Sequence, residues 1–341
     1  MPPQPPPGPL AKLLPVARPV SFVRGALLVR QGAPTRGAFL IGSGEAEARV
    51  ALPGGGSHAV AHFGPGDMFG EMALIERGTC SASVVALTGV DGWFVARDDF
   101  RALVAGRDPQ ALEMQRRIAR TLAERLRALN ARVAEWPAAE DRPAGHPPPA
   151  SDPLAAAPRS RRASFDWRAF LPLLAFFEGF DPDAMDEIAA IGQVLELERG
   201  AWVFAEGLPA TAAYLVVRGA VEVLARAGGR ERRVAIAGPG ELVGYVALLT
   251  GEPHGANARV REAACLLEFA RAPFLAIYEG NSATTVSLQH AIHRSLLRSI
   301  ARTNSRLARL VAHARLEHSA RQAEALELAR AQAEMATLAG A

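Results

Sequence analysis

The sequence predicts an α+β fold that is mainly β, built from one roll-like module written twice, each copy followed by a long helix. Three observations predict it. Arg24 to Gly32 returns as Arg199 to Gly207, and Phe39 to Gly44 returns as Tyr214 to Gly219. The turn Gly64-Pro65-Gly66 returns as Gly238-Pro239-Gly240, and the run Phe69 to Leu74 returns as Val243 to Leu248. Between these landmarks lie short runs rich in Val, Leu and Phe, closed by Gly and Pro turns, the pattern of a small barrel or sandwich. After each set comes a stretch with helical periodicity.

Taken in order, residues 1–18 are a Pro-rich lead whose composition favours extended, solvated polyproline. Residues 19–135 form the first module with its closing helix. Ala48 to Leu52 and His58 to Phe63 flank the Gly-rich tip Pro53 to Ser57 and predict a hairpin. Residues 136–164, dense in Pro, Ala and Arg, predict a flexible linker. Residues 165–310 form the second module and its closing helix. There Asp181 and Pro182 predict a helix start, since Asp caps and Pro suits the first helical position. The first copy offers no such leading helix. Gly219 to Ala225 and Arg232 to Ala237 predict the second hairpin, around Gly228 and Gly229. Ser282 to Ala339 has neither Gly nor Pro, which predicts one long helix with residues 311–341 as its extension.

Composition narrows the function classes. At 341 residues, 49% of them hydrophobic, the chain is long enough for two cores and too apolar to be disordered. No apolar run approaches the ~18 residues of a membrane span, and Met1 to Gly8 lacks the charged start and apolar block of a secretory signal. Two cysteines, Cys80 and Cys265, at non-equivalent places in the two copies, argue against a disulfide framework and for a reducing, cytoplasmic setting. The net charge of +3 is modest and almost all of the positive charge is Arg.

The duplicated pattern resembles the cyclic nucleotide-binding domain, as in catabolite-activator-type regulators and the regulatory subunits of the cyclic-AMP-dependent kinase. The resemblance rests on Phe69-Gly70-Glu71-Met72-Ala73-Leu74 followed by Cys80-Ser81-Ala82, on Gln31-Gly32 and Glu206-Gly207, and on both Gly-Pro-Gly turns. It implies a β-roll (jelly-roll) of about eight strands carrying a phosphate-binding cassette, and a helix that closes over the base. Gly lets backbone approach the ligand, and the cassette helix aims amide N–H groups at the cyclic phosphate. The family's Glu accepts a hydrogen bond from the ribose 2′-hydroxyl, and its Arg clamps the exocyclic oxygens bidentately. The implied ligand is cAMP or cGMP; no cofactor and no metal are expected.

Both copies depart from that set. Counting from Glu71 to the place of the family's Arg gives Cys80, and the same count from Tyr245 gives His254. The first site, Phe69 to Ala73 with Cys80, Ser81 and Ala82, keeps the ribose acceptor and loses the clamp. The second, Gly244, Tyr245, Val246 and Ala247 with His254, Gly255 and Ala256, loses both. A charge-assisted hydrogen bond contributes ~1.5–3 kcal/mol, so losing the clamp weakens binding by about one to two decades. Arg77, in the same loop, either swings into the pocket as a substitute or stays solvated like most loop arginines. Tyr245 is able to plug the ribose pocket, and His254 carries only partial charge near neutrality. These departures predict a weakened first site and a vestigial second one. Cys80 reads either as a reactive thiol with a depressed pKa beside Arg77 or as a small filler; Cys265 reads as a buried strand residue.

Ala119, Leu122, Leu126, Leu129 and Val133 follow three-four spacing, as do His293, Leu297, Ile300, Asn304, Leu307, Val311 and Ala314. This is either a coiled-coil seam or a helix packed on its own barrel. Asn304 inside the second set favours a parallel homodimer through the C-terminal helix. Arg294, Arg298, Arg302 and Arg306 recur every fourth position and read first as a solvated face. The unbroken run from Ser282 to Ala339 lacks the tight turn of a helix-turn-helix, which disfavours sequence-specific nucleic-acid binding. Arg161 to Ser164 looks like an arginine-directed kinase or pseudosubstrate stretch. No P-loop, nucleophile elbow or His-Cys metal spacing is present, so no enzyme activity is expected. Two functions follow: a cyclic-nucleotide sensor that relays binding through a dimeric helix to an unknown protein partner, or a ligand-independent scaffold. A transcriptional regulator is a third, weaker reading.

Overall fold

The computed structural model describes residues 16–34, 36–51, 57–75, 77–80, 82–135, 142–143, 148–160, 164–227, 230–307 and 309–310. Ser81, Arg161 to Ala163, Gly228, Gly229, Val311 and Ala314, on which parts of the sequence reading fall, lie outside them. The chain divides into two compact units.

Unit 1 comprises residues up to Thr121 together with Gly179–Ile191 and Ala272–His293. Its strands are β1 (Ala17–Phe22), β2 (Leu27–Val29), β3 (Gly37–Ser43), β4 (Ala46–Ala51), β5 (Ser57–Phe63), β6 (Met68–Phe69), β7 (Ser83–Ala86) and β8 (Val90–Ala96). They form two antiparallel four-stranded sheets, β1-β8-β3-β6 and β2-β7-β4-β5. The split falls at the breaks between β3 and β4 and between β7 and β8, where Gly44 (φ +85°) sits against the Gly89 carbonyl. Phe69 stacks on Phe39 at 5.1 Å and packs with Phe63 at 5.2 Å, at the centre of a core with Ile41, Val84 and Val90. The hairpin predicted around Pro53 to Ser57 is β4 on β5. Helix α1 (Met72–Ile75) follows β6, and α2 (Arg97–Ala105) follows β8.

Helix α3 (Pro109–Glu135) runs through unit 1 to Thr121 and on into unit 2. Asp108 caps it, its Oδ1 accepting from the N–H groups of Gln110 (2.9 Å) and Ala111 (3.0 Å). Unit 1 also holds α4 (Pro182–Ile191), α6 (Arg271–Tyr278) from its second residue, and the start of α7 (residues 283–307). The start predicted at Asp181 and Pro182 is present: Asp181 Oδ1 accepts from Ala184 N–H at 2.7 Å. Ser282 caps α7 by accepting from Thr285 N–H at 3.0 Å.

Unit 2 comprises Leu122–Glu178, Gly192–Arg271 and the chain from Arg294. Its strands are β9 (Arg142–Pro143), β10 (Gly192–Leu197), β11 (Trp202–Phe204), β12 (Ala212–Ala227), β13 (Arg230–Ala237), β14 (Leu242–Val243) and β15 (Asn257–Ala270). Here β12 and β15 run continuously and bend by register shifts near Gly219, so one connected sheet, β10-β15-β12-β13-β9 with β11 and β14 attached, replaces the two of unit 1. Helix α5 (Tyr245–Thr250) follows β14.

One expectation changes here. The stretch 136–164 is not wholly a free linker: Leu154 is buried in the core of unit 2 with Leu195, Val216 and Leu266. Arg159 makes a two-pronged pair with the buried carboxylate of Glu268, Nη2 to Oε1 at 2.9 Å, and Arg142–Pro143 pairs with β13. A buried apolar side chain, a satisfied ion pair and the backbone bridge of Ser160 to Val194 dock a segment whose composition reads as solvated. The three-four seams also find partners inside the chain. Ala119, Leu122, Leu126, Leu129 and Val133 are buried, as are His293 and Ile300, whereas Asn304 is exposed. Leu297 and Leu307 are half-buried, so the second seam keeps a partly exposed face at Leu297, Asn304 and Leu307.

Candidate functional site

The glycine turns place both cassettes identically. Gly66 (φ +91°) and Gly240 (φ +80°) donate to Ile41 and Val216, each at 2.8 Å. Asp67 and Glu241 then tie the turns by accepting from Gly64 N–H (2.8 Å) and Gly238 N–H (3.0 Å). Gly70 (φ +75°) and Gly244 (φ +80°) reverse the chain into α1 and α5. A Cβ at either would stand 3.1 Å from a backbone oxygen, of Gly37 or Ala212, so the dihedral requires glycine and the space around it is tight.

The loop after each cassette helix is equally matched. Gly32 N–H donates to Cys80 carbonyl and Gly207 N–H to His254 carbonyl, both at 2.8 Å. Cys80 N–H returns to Ala33 and His254 N–H to Leu208, both at 2.9 Å. The structure therefore superimposes Cys80 and His254 in role, as the residue count requires.

In unit 1, Phe69 and Ala73 are buried, Glu71, Met72, Cys80 and Ala82 are half-buried, and Gly70 and Arg77 are exposed. The Glu71 carboxylate has no hydrogen bond or ion pair among the described residues. Burial pushes the Cys80 thiol up, the direction opposite to the depressed pKa of a reactive thiol and in keeping with a small filler. The residue that sequence reasoning missed is Arg97. Its buried guanidinium donates from Nε to the Ala73 carbonyl of α1, joining the cassette helix to the first residue of α2. Burial, and then the charge of Arg77, lower its pKa.

In unit 2, all seven predicted residues, from Gly244 to Ala247 and from His254 to Ala256, line one cavity of ≈ 400 Å³. Tyr245 is buried at the start of α5, 3% exposed; burial raises its hydroxyl pKa, with Ser299 beside it acting in the opposite direction. His254 turns inward and stacks on Phe204, centroids 4.0 Å apart and planes within 9°. Burial, and the neighbouring charge of Arg127, push its imidazole down to about 4, so it is neutral at neutral pH and supplies no clamp.

A guanidinium nevertheless reaches this loop from elsewhere. Arg127 of α3 donates from Nη1 to the Pro253 carbonyl at 2.7 Å, and its Nη2 lies 3.1 Å from Glu252 Oε2. The expectation that the second loop stands without an arginine is therefore corrected. The arginine stripe is exposed at Arg298 and Arg302, which also line the cavity with Arg306; Arg302 pairs with Glu241, and the half-buried Arg294 donates to the carbonyls of Phe176 (3.3 Å) and Glu178 (2.5 Å). Of the linker motif, Ser164 is described; its hydroxyl donates to Glu196 Oε1.

Among the described residues there is no cluster of three or more His, Cys, Asp or Glu suited to a metal, and no helix long and apolar enough to cross a membrane.

Two β-rolls with glycine-turned cassettes followed by helices define a ligand-binding regulatory module present twice. The cyclic nucleotide-binding domain family matches residues 19–107 and 194–281, more than half of the chain, and the chain belongs to this family. It is similar to a CRP-like cAMP-activated global transcriptional regulator of Mycobacterium tuberculosis, 31% identical over 129 residues (38% of this chain, 56% of that protein). It is also similar to a cAMP-dependent protein kinase regulatory subunit of Colletotrichum orbiculare, 35% identical over 83 residues (24% of this chain, 20% of that protein). The chain thus spans about half or less of the length of these relatives. Among solved structures, the regulatory domain of Toxoplasma gondii PKA with cAMP aligns at 19% identity and a TM-score of 0.30, over 78% of this chain and 83% of that one.

Proposed function

We propose that this chain is a non-enzymatic cytoplasmic regulatory protein whose first β-roll senses a cyclic nucleotide, cAMP or cGMP, with weakened affinity. The observation that carries this is Glu71: a half-buried carboxylate beside the Gly70 turn that has no partner among the described residues. A carboxylate so placed is free to accept the ribose 2′-hydroxyl. Phosphate recognition falls to the backbone amides at the start of the cassette helix, residues 70–72, because Cys80 offers no charge and its own N–H is bonded to Ala33.

The relay runs along the chain. Arg97 ties the Ala73 carbonyl to the head of α2, and α2 leads through Gly106, Arg107 (φ +59°) and the Asp108 cap into α3. A ligand that prefers one position of α1 shifts α2 and α3 by no more than its differential affinity for the two states. The dimeric part of the relay has less support, since His293 and Ile300 of the seam are buried within the chain; Asn304 and the exposed face around it are what remain for a second copy.

Calorimetric titration of cAMP and cGMP into the full chain and into Glu71→Ala tests the sensor. Binding that the substitution abolishes supports it. Failure of either nucleotide to bind at millimolar concentration supports the scaffold reading instead.

A further inference from the structure

The cavity of unit 2 carries a charge pattern that a cyclic phosphodiester does not need. Arg127, Arg233, Arg298, Arg302, Arg306 and Arg309 line it, against one carboxylate, Glu241. Four of the six belong to α7 or its continuation, one to α3 and one to β13; none occupies the family's cassette position, where His254 stands neutral. Glu241 pairs with Arg302, Glu178 lies 3.3 Å from Arg298, and Glu252 holds Arg127. Arg233, half-buried on β13, and Arg309 have no hydrogen bond or ion pair among the described residues. Positive charge is therefore left over around a concave space.

A cyclic phosphodiester bears one charge and two free oxygens, which a single guanidinium fork satisfies. A phosphomonoester bears a charge of about −1.5 to −2 and three strong acceptor oxygens, enough for two or three forks. The remainder of the wall fits an organic body on that phosphate. Phe204, Leu126, Leu242 and Val243 supply an apolar side, while Asn130, Ser299 and Thr303 supply hydrogen-bonding groups. The ≈ 400 Å³ volume is of small-ligand size. Gly255 leaves the room that Arg127 occupies, because a Cβ there would lie 3.3 Å from its Cζ.

We propose that the second β-roll is an anion site distinct in chemistry from its own cassette: it takes an acyclic phosphomonoester with an apolar or aromatic body, of which a nucleoside 5′-monophosphate is the compact example. The phosphate is held by guanidinium groups of the covering helices and β13. This does not depend on the reading of Glu71 in unit 1.

The test is calorimetry on the full chain with AMP, GMP, cAMP and inorganic phosphate, using wild type, Glu71→Ala, Arg233→Gln and Arg309→Gln. The proposal expects AMP or GMP to bind at least about tenfold more tightly than both cAMP and inorganic phosphate. That binding should be unchanged in Glu71→Ala and weakened about tenfold or more in Arg233→Gln. Arg309→Gln, an exposed position whose change leaves the core intact, should weaken it by a smaller factor in the same direction. Tighter binding of cAMP in the Glu71→Ala protein, equal binding of inorganic phosphate and nucleotides, or no binding of either monophosphate would each overturn it. The first-roll reading survives all three outcomes if Glu71→Ala removes a separate cyclic-nucleotide isotherm in wild type.

Discussion

The guanidinium of Arg127 lies flat against Gly255, 3.3 Å from where a Cβ would be, and hydrogen-bonds the carbonyl of Pro253 at 2.7 Å. A long side chain from α3 thereby occupies the loop that the family's own arginine would serve. The contact also fastens α3 to the cassette loop of unit 2. Arg127→Ala should cost about 1.5–3 kcal/mol of stability: a charge-assisted hydrogen bond contributes that much net, and the exposed partner Glu252 adds little. Urea unfolding of wild type and variant measures it, and an unchanged midpoint would contradict the contact's energetic role.

Leu154 tests whether the segment between the rolls is docked. It is 2% exposed in the core of unit 2, so Leu154→Ala removes buried methyl groups and leaves a void, at a cost of about 2–5 kcal/mol. A residue on a free linker would cost less than about 0.5 kcal/mol. Chemical denaturation distinguishes the two.

His254 gives the unit a defined pH dependence. Its folded pKa of about 4 lies below the ordinary value near 6.5. Above pH ~6.5 it is neutral in both states and burial carries no penalty. As pH falls from ~6.5 towards ~4 the unfolded chain takes up a proton that the folded protein does not, so stability drains away, by up to about 3 kcal/mol. His293, also pushed down to about 4 by burial, acts in the same direction. His254→Phe, which keeps a ring against Phe204, should flatten the decline between pH 7 and pH 5 while that of His293 persists. Equal pH slopes in variant and wild type would remove the assignment.

Much of this architecture is legible in the residues. The Gly-Pro-Gly turns and the glycines at 70 and 244 demand positive φ, a local requirement that sequence states outright. Asp181 caps its helix by a contact within one turn, equally local. What was not legible depends on distant surfaces. A basic stripe such as Arg298, Arg302 and Arg306 has the same spacing whether it faces water or a cavity. Arg97 and Arg127 look like ordinary helix arginines until the carbonyls of Ala73 and Pro253 arrive beside them. The segment holding Leu154 has linker composition, and only the core of unit 2 makes its one leucine structural. Asn304 shows the converse: within one seam pattern His293 and Ile300 are buried inside the chain while Asn304 stays exposed.

Cyclic-nucleotide affinity of Cys80→Arg tests the central claim most directly, because the hydrogen bonds of Gly32 and Ala33 to Cys80 put that side chain where His254 stands in the second copy. Restoring a guanidinium beside the intact Glu71 should tighten cAMP or cGMP binding by about one to two decades, and adding Glu71→Ala should erase the gain. An affinity that Cys80→Arg leaves unchanged would contradict the account of the first site.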